Sequence, residues 1–194
     1  MPVGIQLYSL RDVISKDLPG TLQAVSKIGH KSVEAYGFDG QFFSIQARDF
    51  RKMCADLGMV ISSTHSGITA KNAQLFTEKA VEAGLEYLVL PSFMGRPEKT
   101  LDDFKKVAEE MNQIGEITKK AGIQFGYHNH NFEFRQLEGK LPYDVLLAET
   151  DPALVTFEMD IYWVVKGGQD PVQYFEKYPG RFKLWHVKDM GNDG

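Results

Sequence analysis

Short apolar runs alternate with helix-patterned segments along the whole chain, and this alternation limits the fold more than any other feature. The apolar runs read as strands at 4–10, 32–36, 59–65, 87–92, 124–130, 155–160 and 182–188. Between the first two, Asp17 is placed to cap a helix with Pro19 in its first turn and Leu22, Val25 and Ile28 on one face. Ser44 is placed to cap a second helix, in which Phe50, Met53 and Leu57 recur before Gly58 stops it. Segment 72–83 has a weaker helical period and ends at Gly84. The strongest period covers 99–121, where Leu101, Phe104, Val107, Met111, Ile114, Ile117 and Ala121 recur at steps of three or four before Gly122. Segment 141–150 reads as a short helix, and Asp170-Pro171 opens another through Tyr178.

Seven strands with helical crossovers predict an α/β fold, a parallel sheet wound by right-handed connections. The repeat of roughly 25–30 residues per unit is that of a (β/α)8 TIM barrel of ~250 residues. Seven βα units fit within these 194 residues. The expectation is one barrel domain over 1–194, incomplete at its C-terminal side, with the polar, glycine-rich segment 190–194 reading as a βα loop. The rival architecture is a doubly wound open sheet, which usually carries a glycine-rich phosphate loop after its first strand. Here Ser9-Leu10-Arg11-Asp12 follows strand one, and the sequence contains no GxGxxG or GxxxxGK.

Composition narrows the function classes. A net charge of −4 argues against a general nucleic-acid binder. No apolar run reaches the ~20 residues of a membrane helix. Met1-Pro2-Val3-Gly4 leads straight into a strand, without a charged segment and apolar stretch of signal type, so the cytoplasm is the default unless an export signal was removed. Cys54 is the single cysteine, which leaves no internal disulfide and no cysteine-based zinc site.

The chemistry-bearing residues gather near the C-terminal ends of the strands, where a barrel places its active site. Side chains alternate faces along a strand, so His128 shares a face with His130, Glu158 with Asp160, and His186 with Lys188. A catalytic divalent metal needs three or four donors from separate strands, and His128, Asp160 and His186 meet that demand. Glu158 reads as a group that orients a ligand or pairs with Lys188. Lys188 can bind a substrate oxygen or phosphate, or pair with Asp189. Glu133 is either a general base entering from the loop or a loop carboxylate between two aromatic anchors. Tyr8, Arg11, Glu34, His65 and His130 read as the substrate-contacting part of a polar pocket, and Trp163 as a surface for a sugar ring or a packing aromatic.

Four motifs carry a resemblance. Ile5-Gln6-Leu7-Tyr8-Ser9-Leu10-Arg11-Asp12, Tyr127-His128-Asn129-His130-Asn131-Phe132-Glu133-Phe134, Met159-Asp160-Ile161-Tyr162-Trp163 and His186-Val187-Lys188-Asp189 together resemble the xylose isomerase-like TIM-barrel superfamily of sugar phosphate isomerases and epimerases. The resemblance implies one divalent metal (Mn²⁺, Mg²⁺ or Zn²⁺), a small-molecule sugar substrate and a homo-oligomer, with no nucleic-acid or membrane partner. It implies ligands ending strands five to eight. Asp160 and His186 match the strand-six Asp and strand-seven His. The strand-five Glu falls on His128, and the strand-eight Glu has no counterpart in these residues. It also implies isomerisation or epimerisation by proton abstraction alpha to a carbonyl, with those two glutamate positions as the usual acid/base pair; the residues present offer His128, Glu133 and Lys188 as catalytic candidates. A lyase on the same site, or a non-catalytic carbohydrate-binding barrel, are the rivals. A phosphodiester-cleaving repair enzyme fits poorly with the acidic charge and five histidines.

Overall fold

A computed structural model describes residues 3–93 and 99–191. Of the terminal segment expected as a βα loop, residues 192–194 lie outside the described residues. Nine strands, β1 Ile5–Gln6, β2 Ser32–Phe38, β3 Gln41–Phe42, β4 Ile45–Gln46, β5 Val60–Ser66, β6 Tyr87–Leu90, β7 Gln124–His128, β8 Val155–Asp160 and β9 Phe182–His186, are described. Eight helices, α1 Arg11–Ile14, α2 Leu18–Ile28, α3 Ala47–Asp56, α4 Ala73–Ala83, α5 Leu101–Lys120, α6 Pro142–Glu149, α7 Ile161–Lys166 and α8 Pro171–Lys177, intervene. Seven strands form one sheet in the order β1-β2-β5-β6-β7-β8-β9, every pairing parallel. This is the expected α/β barrel layering. Among the described residues β1 and β9 are its two edges. The sheet is curled: β2 and β9 are not ladder neighbours, yet Glu34 Oε1 and His186 Nε2 lie 2.7 Å apart.

The curl follows from packing on the outer face. Phe125, Tyr127, Val155, Phe157 and Met159 are fully buried, and Phe104, Val107, Met111 and Ile114 of α5 are buried too. Each such side chain contributes roughly 1.5–3 kcal/mol by leaving water. A capping box starts α5: Thr100 Oγ1 accepts from the Asp103 amide while the Asp103 carboxylate accepts from the Thr100 amide.

Several boundaries differ from expectation. The first strand ends at Gln6, not residue 10, because the Gln6 side chain accepts the Tyr8 amide and starts a 3-10 turn over Leu7–Leu10. Ser44 does not cap α3. It sits with Phe43 at positive φ in the turn of a small β3–β4 hairpin, and the helix begins after Gln46. Ile28, expected on the buried face of α2, is exposed as its last residue, and Leu18 joins Leu22 and Val25 in the buried stripe. Helix α7 was hidden in the sequence because it starts directly at the end of β8, with Asp160 Oδ1 accepting the Trp163 amide.

Glu133 anchors the loop after β7. It is completely buried, and its carboxylate accepts from the Tyr127 hydroxyl and from the His130 amide. Burial pushes its carboxyl up to about 8, against these hydrogen bonds, which favour the anion.

Two expectations follow. A Cβ at Gly115 would lie 2.8 Å from the Leu154 carbonyl oxygen. Gly115→Ala, which helix propensity would favour by ~1 kcal/mol, is therefore expected to lower stability by about 1–2 kcal/mol in urea unfolding; a stabilised variant would show that α5 does not lie this close to the loop before β8. For Glu133, a carboxyl raised from 4.5 to about 8 contributes stability that is full below 4.5 and is lost as pH rises to about 8. Glu133→Gln should thus gain on the parent protein by a few kcal/mol between pH 5 and pH 8.5. An equal difference at both pH values would mean that the carboxyl is not raised.

Candidate functional site

Alternation along the strands sends Glu34 of β2, His65 of β5, His128 of β7, Glu158 and Asp160 of β8 and His186 of β9 into the curl of the sheet. Of these, Glu34, His128, Glu158 and Asp160 are buried, and His65 and His186 are half-buried. Burying three carboxylates together is costly unless each is paired, and each is. Glu34 accepts from the Gln6 amide group, Ser63 Oγ and His186 Nε2. Glu158 Oε2 lies 2.7 Å from His65 Nε2 and 3.4 Å from His186 Nε2. Asp160 Oδ2 lies 2.8 Å from Lys188 Nζ and 3.2 Å from His128 Nε2.

The hydrogen-bond partners assign the imidazole atoms. His128 Nδ1 faces the Pro91 carbonyl at 3.3 Å and must donate, which leaves the Nε2 lone pair toward the cluster. His186 Nε2 donates to Glu34, so Nδ1 is the atom turned toward His128 and Asp160. His128 Nε2 and His186 Nδ1 are 3.1 Å apart, His128 Nε2 and Asp160 Oδ2 3.2 Å, and His186 Nδ1 and Asp160 Oδ2 3.7 Å. An ion held at ~2.0–2.2 Å by three such donors keeps them ~3.2–3.6 Å apart in tetrahedral geometry. The donor set therefore fits a divalent metal. A wider group of one donor atom each from His65, His128, Glu158 and His186 spans no more than 4.8 Å and shares two of these residues.

The cluster lies at the floor of a cavity of about 610 Å³ whose walls include Tyr8, Tyr36, His130, Trp163 and Lys188. Trp163 is packed at 5.4 Å from His130, and Lys188 lies 4.9 Å from the rings of both Trp163 and Tyr162. Lys188 pairs with Asp160 in the structure, not with Asp189. Three candidates do not line this cavity: Glu34, expected to contact substrate, is buried behind His186, and Glu133 and Arg11 stand apart from it. Glu133, in the 3-10 turn Phe132–Phe134 after β7, is held by Tyr127 and is absent from the cavity walls. Arg11 is exposed, donates to the Tyr8 carbonyl and lies 4.8 Å over the Tyr8 ring. Gln6 and Ser63, which fix Glu34, were not singled out from the sequence; only the register that sets Ile5 and Gln6 beside Val33 and Glu34, and Glu34 beside Ser63, reveals them.

Charge is unevenly distributed in the cluster. Burial would raise the Glu34 and Asp160 carboxyls, but the imidazoles against Glu34, and the hydrogen bonds of His128, His186 and Lys188 to Asp160, hold both below the usual range. Burial and the neighbouring Glu34 charge push Glu158 well up. Burial lowers His65 and His130 to about 4 and lowers His128. Burial also opposes charge on His186, yet Glu158, Asp160 and Glu34 outweigh it and raise His186 to about 10. His186 is thus the imidazole of the cluster whose surroundings favour its charged form.

Comparison with known proteins gives the family of the chain. The family model described as xylose isomerase-like TIM barrel matches residues 22–194. A sugar phosphate isomerase/epimerase from Parabacteroides distasonis is 37% identical, with a TM-score of 0.89 over 99% of this chain and 77% of that one. An inosose dehydratase from Clostridium tetani is 32% identical over 103 residues, which are 53% of this chain and 34% of that protein, so the match spans about a third of the curated relative. The IOLI protein, solved with a bound zinc atom, shares the fold at a TM-score of 0.78 and 11% identity, over 99% of this chain and 74% of that one. Among the described residues no helix is long and apolar enough to cross a membrane. By family model, sequence identity and fold together, the chain belongs to the xylose isomerase-like TIM barrel family.

Proposed function

We propose that this domain serves an enzyme that moves a proton alpha to the carbonyl of a sugar or keto-sugar, giving isomerisation or epimerisation. The observation that carries the reading is the meeting of three lone pairs, from His128, Asp160 and His186, on the floor of a cavity open to a small molecule. These three residues would hold the divalent cation, with Glu158 and His65 beside them. When bound, the cation supplies a Lewis acid for a carbonyl and its neighbouring hydroxyl. The choice among Mn²⁺, Mg²⁺ and Zn²⁺ belongs to the test below.

The chain's own residues supply the rest. Trp163 offers a flat apolar wall to a ring, and the Lys188 ammonium beside it can bind a substrate oxygen. His65 stands in the cavity wall as a neutral imidazole with the Glu158 carboxyl behind it at 2.7 Å, a weak base held in place that can take a proton from carbon and return it readily. Glu34, fixed by Gln6 and Ser63, orients His186. Return of the proton to the other face gives epimerisation, and return to the neighbouring carbon gives isomerisation. A second reading, loss of a beta hydroxyl as in a dehydratase, is favoured by the inosose dehydratase relatives. It needs an acid at the leaving oxygen, and Lys188 is the ammonium among the described cavity walls.

The test is metal content by mass spectrometry on protein purified without a histidine tag, beside an Asp160→Ala, His186→Ala double variant. Near-stoichiometric metal that is lost in the variant is the expected result. Keto-sugars and inososes are then screened for deuterium uptake alpha to the carbonyl in heavy water. Protein that takes up no divalent metal, even when it is supplied, would refute the reading.

A further inference from the structure

The side chain of Asn129 faces away from the cavity, and its contacts are unusual for a residue at a strand end. It is completely buried. Its Oδ1 accepts from the Asp160 amide at 3.0 Å, and its Nδ2 donates to the Asp160 carbonyl at 3.3 Å. The Tyr143 hydroxyl also donates to Oδ1, at 3.4 Å. The orientation of the amide is dictated by chemistry, because the backbone N–H of Asp160 can only donate and its C=O can only accept.

The ladder between β7 and β8 has its last paired residues at His128 and Glu158. Beyond them the Asn129 side chain takes the part of a backbone peptide and grips both polar groups of Asp160. This clasp joins the residue after one proposed ligand to the other ligand itself. Asp160 Oδ1 is committed to the Trp163 amide at the start of α7, so Oδ2 alone is presented to His128, His186 and Lys188. The 3.2 Å separation of His128 Nε2 and Asp160 Oδ2 then depends on how the two strand ends are held.

We infer that Asn129 is a positioning residue for the metal centre: its two-bond clasp on Asp160 sets the spacing of the His128 and Asp160 donor atoms. This rests on the metal-site reading above. Supporting groups one step behind ligands typically change metal affinity by ~10–100-fold when altered.

The sharpest variant is Asn129→Asp, which keeps the shape and the acceptor for the Asp160 amide but sets an oxygen against the Asp160 carbonyl. Asn129→Ser removes both arms with little bulk, and serves if the first variant does not fold. Leu88→Ala, a fully buried core change elsewhere in the sheet, controls for general loss of stability. Co²⁺ titration read by visible absorption, with circular dichroism for folding, gives affinity and coordination together. Expected are a 10–100-fold weaker Co²⁺ affinity and an altered d–d spectrum for the folded Asn129 variant, with the parent spectrum and affinity kept in Leu88→Ala. Parent-like affinity and spectrum in the Asn129 variant overturn the inference, as does the same loss in Leu88→Ala. Failure of the parent protein itself to bind Co²⁺ overturns the metal reading, and the clasp with it.

Discussion

A parallel sheet can bring imidazoles and carboxylates of distant strands together only by curling, and the curl is maintained by what packs on its outer face. Phe125, Tyr127, Phe157 and Met159 are buried on one side of β7 and β8, so alternation commits His128, Glu158 and Asp160 to the other. The contact of Glu34 with His186 at 2.7 Å, between strands that share no ladder, is the direct measure of that curl. The candidate site is thus a product of the hydrophobic layer behind it. Loss of that packing would separate the donors before any of them changed its chemistry.

Inside the curl, electrostatics decides which atoms face one another. Three buried carboxylates would repel if left alone. Glu34 and Glu158 are met by His65 and His186, and Asp160 by His128 and Lys188. The hydrogen bonds of His128 to Pro91 and of His186 to Glu34 use one nitrogen of each ring and point the other inward. Positive charge at the centre is therefore demanded by the surroundings, and a proton on His186 or a divalent cation each answers it.

The fold was largely legible along the chain. Apolar runs bounded by helix caps and stops predicted all seven strands of the sheet, since each run had to be buried and the clearest helices carried their own stripes. The misreadings have local causes. Gln6 closed β1 early with a side-chain bond, and Ser44 went to a hairpin turn instead of a helix cap. Helix α7 shares Asp160 with β8 and leaves no turn between them to be seen. Glu133 shows the limit for function. Its position after His130 suggested a base, yet the loop folds its carboxylate under Tyr127, away from the cavity.

By itself, the sequence determined the order of the seven sheet strands and of the longer helices between them, the shared face of the polar residues on the last three strands, and which residues could offer lone pairs at the strand ends. Periodicity and residue chemistry are local properties, and they survive without knowledge of the partners. Tertiary structure alone decided that Glu34 would meet His186, that Gln6 and Ser63 would hold Glu34, that Asn129 would clasp Asp160, and that Lys188 would choose Asp160 over Asp189. Those contacts join residues from 28 to 152 positions apart. They depend on strand register and sheet curvature, which arise from the packing of the whole barrel wall and leave no mark at any single position of the chain.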